Sequence, residues 1–188
     1  MSMEDARDGC ALMPTPREFL TTATLVDGAE ATLRILAPED YDAVVSLAVC
    51  LSDEERYQRF FTVHPNYIGD WALSLTKPAE GIVALGAVES GDLIGVANYA
   101  ELSRPGECEI AVVVAHEQHE RGVGTALLKT LGHIAREAGQ HRFVADVLFE
   151  NFAMRRVLHD AGWPTAHHRD GPVLSFEVDI DVIEASAH

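Results

Sequence analysis

Cys108 to Lys129, CEIAVVVAHEQHERGVGTALLK, sets a carboxylate, a run of branched apolar residues and two glycines at spacings that could do chemistry together. Ile110 to Val114 reads as a buried strand, Ala115 to Glu120 as a polar loop, and Arg121-Gly122-Val123-Gly124-Thr125 as the opening of a helix. Glycine lets backbone approach a ligand closely, and the unpaired N–H groups of a helix start attract phosphate. The segment reads as a diphosphate cradle, with Glu109 near the start of the strand that leads into it. An acyl-CoA-dependent transfer would need both parts, one to hold the diphosphate and one to deprotonate an amine. Glycine at such a junction can also serve packing alone. Leu127 stands where the dinucleotide fingerprint has its third glycine, and the Walker A pattern does not occur.

Glu107 and Glu109 are two apart on the expected strand, so both carboxylates would share one face. Glu107 is nearer the Arg104-Pro105-Gly106 turn and is expected to be the more solvated, which favours Glu109 as the base. Asp146 and Asp160 read as structural. His116/His119 and His167/His168 are the close histidine sets, and neither has a cysteine or carboxylate at ligand spacing, so no metal is expected. Ser74 and Ser103 lack a nucleophile-elbow context.

The elements that must position these groups can be read from local signals. Residues 1–20 carry no sustained period and are expected to form a flexible arm, followed by one domain over 21–182 and a tail at 183–188. Ala23 to Val26 and Ala31 to Ile35 are short strand candidates around Asp27-Gly28. Pro38-Glu39-Asp40 opens a helix to about Val49. Ser52 and Glu55 form a capping-box pattern for a helix from Asp53 to about Phe61. Its Tyr57, Phe60 and Phe61 are expected in the core or on the wall of a substrate groove, with core favoured. A short helix over Asn66 to Leu75 precedes three strands, Ile82 to Val88, Leu93 to Leu102 and Glu107 to Val114, joined by tight turns. A helix from Gly122 to Glu137 stops at Gly139. Arg142 to Phe149 is a strand, Asn151 to about Asp160 a helix, and His168 to Ile180 one strand or a pair.

The chain has 188 residues and a formal net charge of −16, which argues against a nucleic-acid partner. The acidic field would favour a basic acceptor such as a lysine-bearing surface or a polyamine, or it serves solubility only. CoA is itself anionic and needs a local exception, which Arg121 and the helix start could supply. Three cysteines, Cys10, Cys50 and Cys108, fit neither a disulfide framework nor a zinc site, and Cys50 and Cys108 read as buried thiols of a cytoplasmic protein. No apolar run is long enough to span a membrane, and the N-terminus lacks the apolar core of a secretory signal.

EIAVVVAHEQHERGVGTALL and NFAMRRVLHDAGW, in this order, resemble the GNAT N-acetyltransferase superfamily over residues 22 to 180. Ser52-Asp53-Glu54-Glu55-Arg56-Tyr57-Gln58-Arg59-Phe60 and Glu109-Ile110-Ala111 are similar to elements of the catalytic domains of bacterial Pat-type protein-lysine acetyltransferases. The resemblance implies an α/β (α+β) fold whose mixed, mostly antiparallel central sheet is splayed between the fourth and fifth main strands and flanked by helices. It implies acetyl-CoA as acyl donor and Glu109 as general base. Backbone groups of Val112, Val113 and Val114 would pair with pantetheine. His119, Glu120, Arg121, Gly122, Val123, Gly124 and Thr125 would hold the pyrophosphate, with Asn151 and Met154 on the other side.

Two positions depart from the family pattern. His119 replaces a frequent Gln or Arg, and since neutral imidazole can donate one hydrogen bond and imidazolium meet phosphate, CoA affinity could depend on pH. Leu158 replaces a frequent tyrosine, so the leaving thiolate has no tyrosine acid there, and His159 points about 100° away around the helix. The resemblance implies transfer to a protein lysine, with an acyl-CoA synthetase as a candidate acceptor. A small amine such as a polyamine or aminoglycoside is the alternative, and a non-catalytic acyl-CoA sensor a third reading. Direct cyclic-nucleotide control is not expected, because only about 20 residues precede the first strand. Oligomeric state is not legible in the sequence.

Overall fold

Turn and cap signals lie where the sequence puts them, and they set the order of the elements. The computed structural model describes residues 20–182 except Val63, Pro65, Pro78 and Pro164. The expected arm, up to residue 19, and the tail at 183–188 lie outside the described residues. β1 (Leu20–Thr24) and β2 (Glu30–Ile35) form an antiparallel hairpin, with Gly28 at φ +84° in its turn. Both strands begin earlier than the sequence implies. Val26, expected in the first strand, lies in the turn, where its N–H donates to the carbonyl of Arg121.

A 3-10 turn over Pro38–Asp40 leads into α1 (Tyr41–Val49). Asp40 is nearly buried and takes a two-pronged ion pair from Arg34, both contacts at 2.6 Å. α2 (Asp53–Phe60) carries the expected capping box: Ser52 Oγ accepts from the Glu55 N–H at 3.2 Å, and Glu55 Oε2 accepts from the Ser52 N–H at 2.8 Å. α3 (Ile68–Thr76) follows. β3 (Ile82–Glu89), β4 (Asp92–Glu101) and β5 (Glu107–Val114) make the expected meander. Ser90 and Gly91, both at positive φ, supply the tight β3–β4 turn. A second 3-10 turn (His116–Gln118) precedes α4 (Val123–Glu137). β6 (Arg142–Leu148), α5 (Phe152–Asp160), β7 (Thr165–Asp170) and β8 (Val173–Asp179) complete the chain, so the last segment is a strand pair.

Among the described residues eight strands lie in the order β1-β2-β3-β4-β5-β6-β8-β7, and of their pairings only β5–β6 is parallel. Alternate residues face opposite sides, which splits the core in two. Leu85, Tyr99, Cys108 and Ile110 pack with α4 and with Leu158 of α5 on one side. Ala84, Val96 and Val113 pack with Val44 and Leu47 of α1, Phe60 of α2 and Ala72 and Leu75 of α3 on the other. Of the three α2-region aromatics, only Phe60 is in the core. Tyr57 is 47% exposed and Phe61 51%, so the stripe divides between core and surface.

Candidate functional site

The sheet opens where the sequence implies. β5 pairs with β6 only at Glu107↔Arg142, Cys108↔Phe143 and Glu109↔Val144. Beyond that point Ile110–Val114 stays paired with β4, while β6 continues against β8. In terms of the main strands, with the edge strand β1 set aside, this is the gap between fourth and fifth. A strand with one neighbour has backbone N–H and C=O groups on its free side that need partners. A cavity of about 680 Å³ occupies the gap, lined by Glu109–Val114, Ala145–Val147, the loop before α4, the first residues of α4 and α5, and part of α2. That size is ordinary for a ligand pocket.

Glu109 lies at the closed end of the gap, at the last β5–β6 pair, with an exposed side chain facing the cavity. Glu107 departs from expectation. Its carboxylate is only 14% exposed, is held by Arg104 at 2.9 Å and Arg142 at 3.4 Å, and is not on the cavity wall. The turn that was expected to solvate Glu107 supplies the arginine that covers it. Asp146 and Asp160, read as structural, both line the cavity. Asp146 accepts from Ser175 Oγ at 2.6 Å, and Asp160 is held low in pKa by His159 and Arg156.

The cradle is built mainly from backbone. Among the described residues no side chain caps α4, which leaves the N–H groups of Val123, Gly124 and Thr125 without a capping partner at its start. Gly122 sits at φ +84° as the N-cap residue, where glycine avoids a steric penalty. Glu120 adopts φ +63°, a left-handed conformation strained for a non-glycine residue, which is typical of ligand-binding loops. Gly124 has a different reason to be glycine: a Cβ there would lie 3.0 Å from Val157 Cγ2 of α5. Backbone conformation therefore accounts for glycine at Gly122, and close packing on α5 for glycine at Gly124.

Arg121 is a correction. Its guanidinium bonds Asp27 at 2.6 Å, Glu89 at 2.8 Å through two nitrogens, and Gln118, and it does not line the cavity. Paired carboxylates hold this cation outside the gap, so it fastens the β1–β2 turn and the end of β3 to the loop instead of neutralising phosphate. Two other arginines line the cavity, Arg59 of α2 and Arg156 of α5, and Arg156 contacts Glu120 at 3.3 Å and Asp160 at 3.5 Å.

Val112, Val113 and Val114 all line the cavity, as do His119, Glu120, Gly122, Val123, Gly124, Thr125, Asn151 and Met154. Asn151 caps α5, its Oδ1 accepting from the Met154 N–H at 2.9 Å, which leaves its amide NH₂ for a ligand. His119 Nε2 lies 3.1 Å from the Val114 carbonyl and 3.3 Å from Glu55 Oε1. Both are acceptors, so Nε2 carries the hydrogen. The neutral ring then has only an Nδ1 lone pair left, and the expectation that neutral His119 could donate to phosphate does not fit this geometry.

Glu55 is what local spacing could not reveal. Besides closing its capping box it reaches His116 Nδ1 at 2.8 Å, and ligand atoms of Glu55, His116 and His119 all lie within 4.8 Å of one another. The carboxylate missing from the His116/His119 set is thus supplied by α2, and the three could together hold a divalent cation. Burial works to raise the Glu55 carboxyl, but hydrogen bonds from the Ser52 backbone and His116 outweigh it and hold it below its usual value. Where the family pattern has a tyrosine, Leu158 is buried, His159 is exposed and off the cavity wall, and no tyrosine lines the cavity among the described residues.

Residues 33–163 match the model of the acetyltransferase (GNAT) family. The GNAT domain of S. lividans PAT superposes with a TM-score of 0.79 at 30% identity, over 88% of this chain and 99% of that one. The protein yncA from Salmonella typhimurium, solved with its cofactor acetyl-CoA, gives a TM-score of 0.63 at 22% identity over 84% of this chain and 96% of that one. A cAMP-binding acyltransferase from Mycobacterium smegmatis gives 0.61 at 22% identity over 88% of this chain, which spans 49% of that longer protein.

Proposed function

Because the chain belongs to the acetyltransferase (GNAT) family, we propose that it transfers acetyl from acetyl-CoA directly to a primary amine, with Glu109 as general base and a protein lysine as acceptor. The observation that carries this reading is Glu109 at the closed end of the β5–β6 gap, in one cavity with the uncapped start of α4. A donor threaded through the gap would have its diphosphate at Gly122–Thr125 and its pantetheine along Val112–Val114, which directs the thioester toward Glu109. Asn151 and Met154 would hold it from the α5 side.

Lysine's ordinary pKa is about 10.4, so the amine must lose a proton before it attacks the thioester carbon. Glu109 accepts that proton, directly or through a water. Negative charge develops on the thioester oxygen, where an N–H near Val112 or Val113 can donate. The carbon–sulfur bond then breaks and CoA leaves as thiolate or takes a proton from water. A covalent relay through Cys108, the neighbour of Glu109 in sequence, is disfavoured: the thiol is fully buried, and burial pushes its pKa up to about 12.

The motif Ser52–Phe60 and the likeness to the S. lividans PAT domain support a protein lysine over a small amine. The test is incubation of acetyl-CoA with a purified acyl-CoA synthetase and intact-mass measurement, with wild type beside Glu109→Gln. A gain of one acetyl mass with wild type only supports the proposal. CoA release that appears only with small amines moves the acceptor class. Bound acetyl-CoA without turnover on any amine leaves a sensor.

A further inference from the structure

Almost every charged group facing the cavity already has a partner. Arg156 contacts Glu120 and Asp160, Glu55 holds His116 and His119, and Asp146 accepts from Ser175. Arg59 and Glu109 are the exceptions: among the described residues neither has a hydrogen bond or an ion pair, and both line the cavity. Arg59 Nε is sealed from solvent without a partner, and so is Nε1 of Trp71. The guanidinium lies 5.1 Å from the Phe60 ring centre and 5.5 Å from that of Trp71. Burial among these rings pushes the Arg59 pKa down, and the charge of Glu109 partly restores it. Glu109 is thus felt at Arg59 without being paired to it.

A half-buried cation whose Nε is sealed from solvent without an acceptor is unfavourable unless something completes the group. A diphosphate at the start of α4 would not do so. Glu109 lies five residues before Val114 on an extended strand, roughly 16 Å away along it, and Arg59 senses Glu109. The two unpaired charges have opposite sign and share the α2 side of β5, where Val113 packs toward Phe60.

We infer that Arg59 is an anion subsite for the acceptor, which carries a carboxylate beside its reacting amine: the amine meets Glu109 and the carboxylate meets the paired N–H donors of Arg59. This rests on the assignment of Glu109 as base in the proposed function. It selects against polyamines, which would bring only cations to a cavity containing Arg59. The carboxylate comes either from an acidic residue flanking a target lysine or from the main-chain carboxyl of a free amino acid.

Two probe sets separate those sources: a capped peptide with lysine between two glutamates against the same peptide with glutamines, and free L-amino acids against their amides. Thiol release from acetyl-CoA gives kcat/KM, and calorimetry on the CoA-saturated protein gives binding without turnover. Wild type is expected to favour the carboxylate form by about tenfold or more, the effect of a charged hydrogen-bonded pair. Arg59→Gln is expected to erase that preference, with acetyl-CoA affinity unchanged, and Arg59→Lys to keep part of it. A preference in the peptides assigns an acidic flank, and one in the amino acids a small acceptor. Discrimination in calorimetry without turnover keeps the subsite while the transferase reading falls. Equal binding and equal turnover of both forms overturn the inference, as does a preference that survives in Arg59→Gln. A changed pH profile in Arg59→Gln with no change in acceptor preference would make Arg59 the partner of Glu109 and overturn it too. If Arg59→Gln does not fold, Arg59→Lys decides alone: an undiminished preference there rejects the two-pronged contact.

Discussion

Glu55 Oε1 and His116 Nδ1 lie 2.8 Å apart across 61 residues of sequence, joining the first turn of α2 to the loop that leads into α4. The contact makes the stability of that junction depend on pH, with a sign that can be worked out. The hydrogen bond to Glu55 raises the His116 pKa above its ordinary 6.5. That contribution is complete below pH 6.5 and is lost as pH rises through the raised value. Glu55 is held below its usual 4.5 despite burial, so its contribution is complete above that and is lost as pH falls through the lowered value. Wild type should exceed His116→Gln in urea midpoint most strongly at about pH 5.5 and least at about pH 8.5. A gap that stays constant across that range would show that the contact does not form in solution.

On the proposed mechanism, Glu109→Gln removes the base and leaves the start of α4 unchanged. Turnover is expected to fall by about 10²–10⁴-fold, with acetyl-CoA affinity by calorimetry unchanged. An equal loss in both would place Glu109 in donor binding.

The two cradle glycines should respond differently to a methyl group. Gly122→Ala forces a side chain into φ +84° and is expected to destabilise by about 1 kcal/mol. Gly124→Ala brings a Cβ to 3.0 Å from Val157 but removes a helix glycine, whose replacement is favourable by roughly 1 kcal/mol. Near-neutral stability is expected. A larger loss at Gly124 than at Gly122 in chemical denaturation would reverse these roles.

Thiol labelling followed by peptide mapping should find Cys50 modified in the native protein and Cys108 untouched until it unfolds. Cys50 is exposed, contrary to its reading as a buried thiol, while Cys108 is buried with its pKa at about 12. Native labelling of Cys108 at a rate like that of Cys50 would mean that the β5–β6 junction opens. Cys10 lies outside the described residues, and mapping keeps its signal apart.

Much of the fold was legible because its signals are local. Ser52 with Glu55, Asn151 at the start of α5, Gly139 after α4 and Ser90-Gly91 between β3 and β4 each act within a few residues, and each lies where local chemistry puts it. The site was legible where backbone makes it, as in the uncapped helix start. Side-chain partnerships across the fold were not. Arg121 meets Asp27 at a separation of 94 residues and Glu89 at 32, and no local spacing indicates that these carboxylates take it away from the cavity. Glu55 was visible as a cap and invisible as the partner of two histidines, since only the packing of α2 beside β5 brings them together. The same packing gives Arg59 its place by Glu109.

Past Glu109 the molecule is two half-sheets sharing a short hinge. β1–β5 make one and β6–β8 the other, and beyond the three β5–β6 pairs they are bridged chiefly by α4 and α5. A long, narrow molecule inserted between Ile110–Val114 and β6 would bond to a strand edge that lacks a neighbour, and so act as a ninth strand made of cofactor. Loading such a protein resembles finishing its folding: the amides of that edge would be protected, and the halves locked, only while donor is present. Departure of CoA would then be a loosening of the sheet itself, which ties the rate of product release to how firmly the short hinge at Glu107–Glu109 holds.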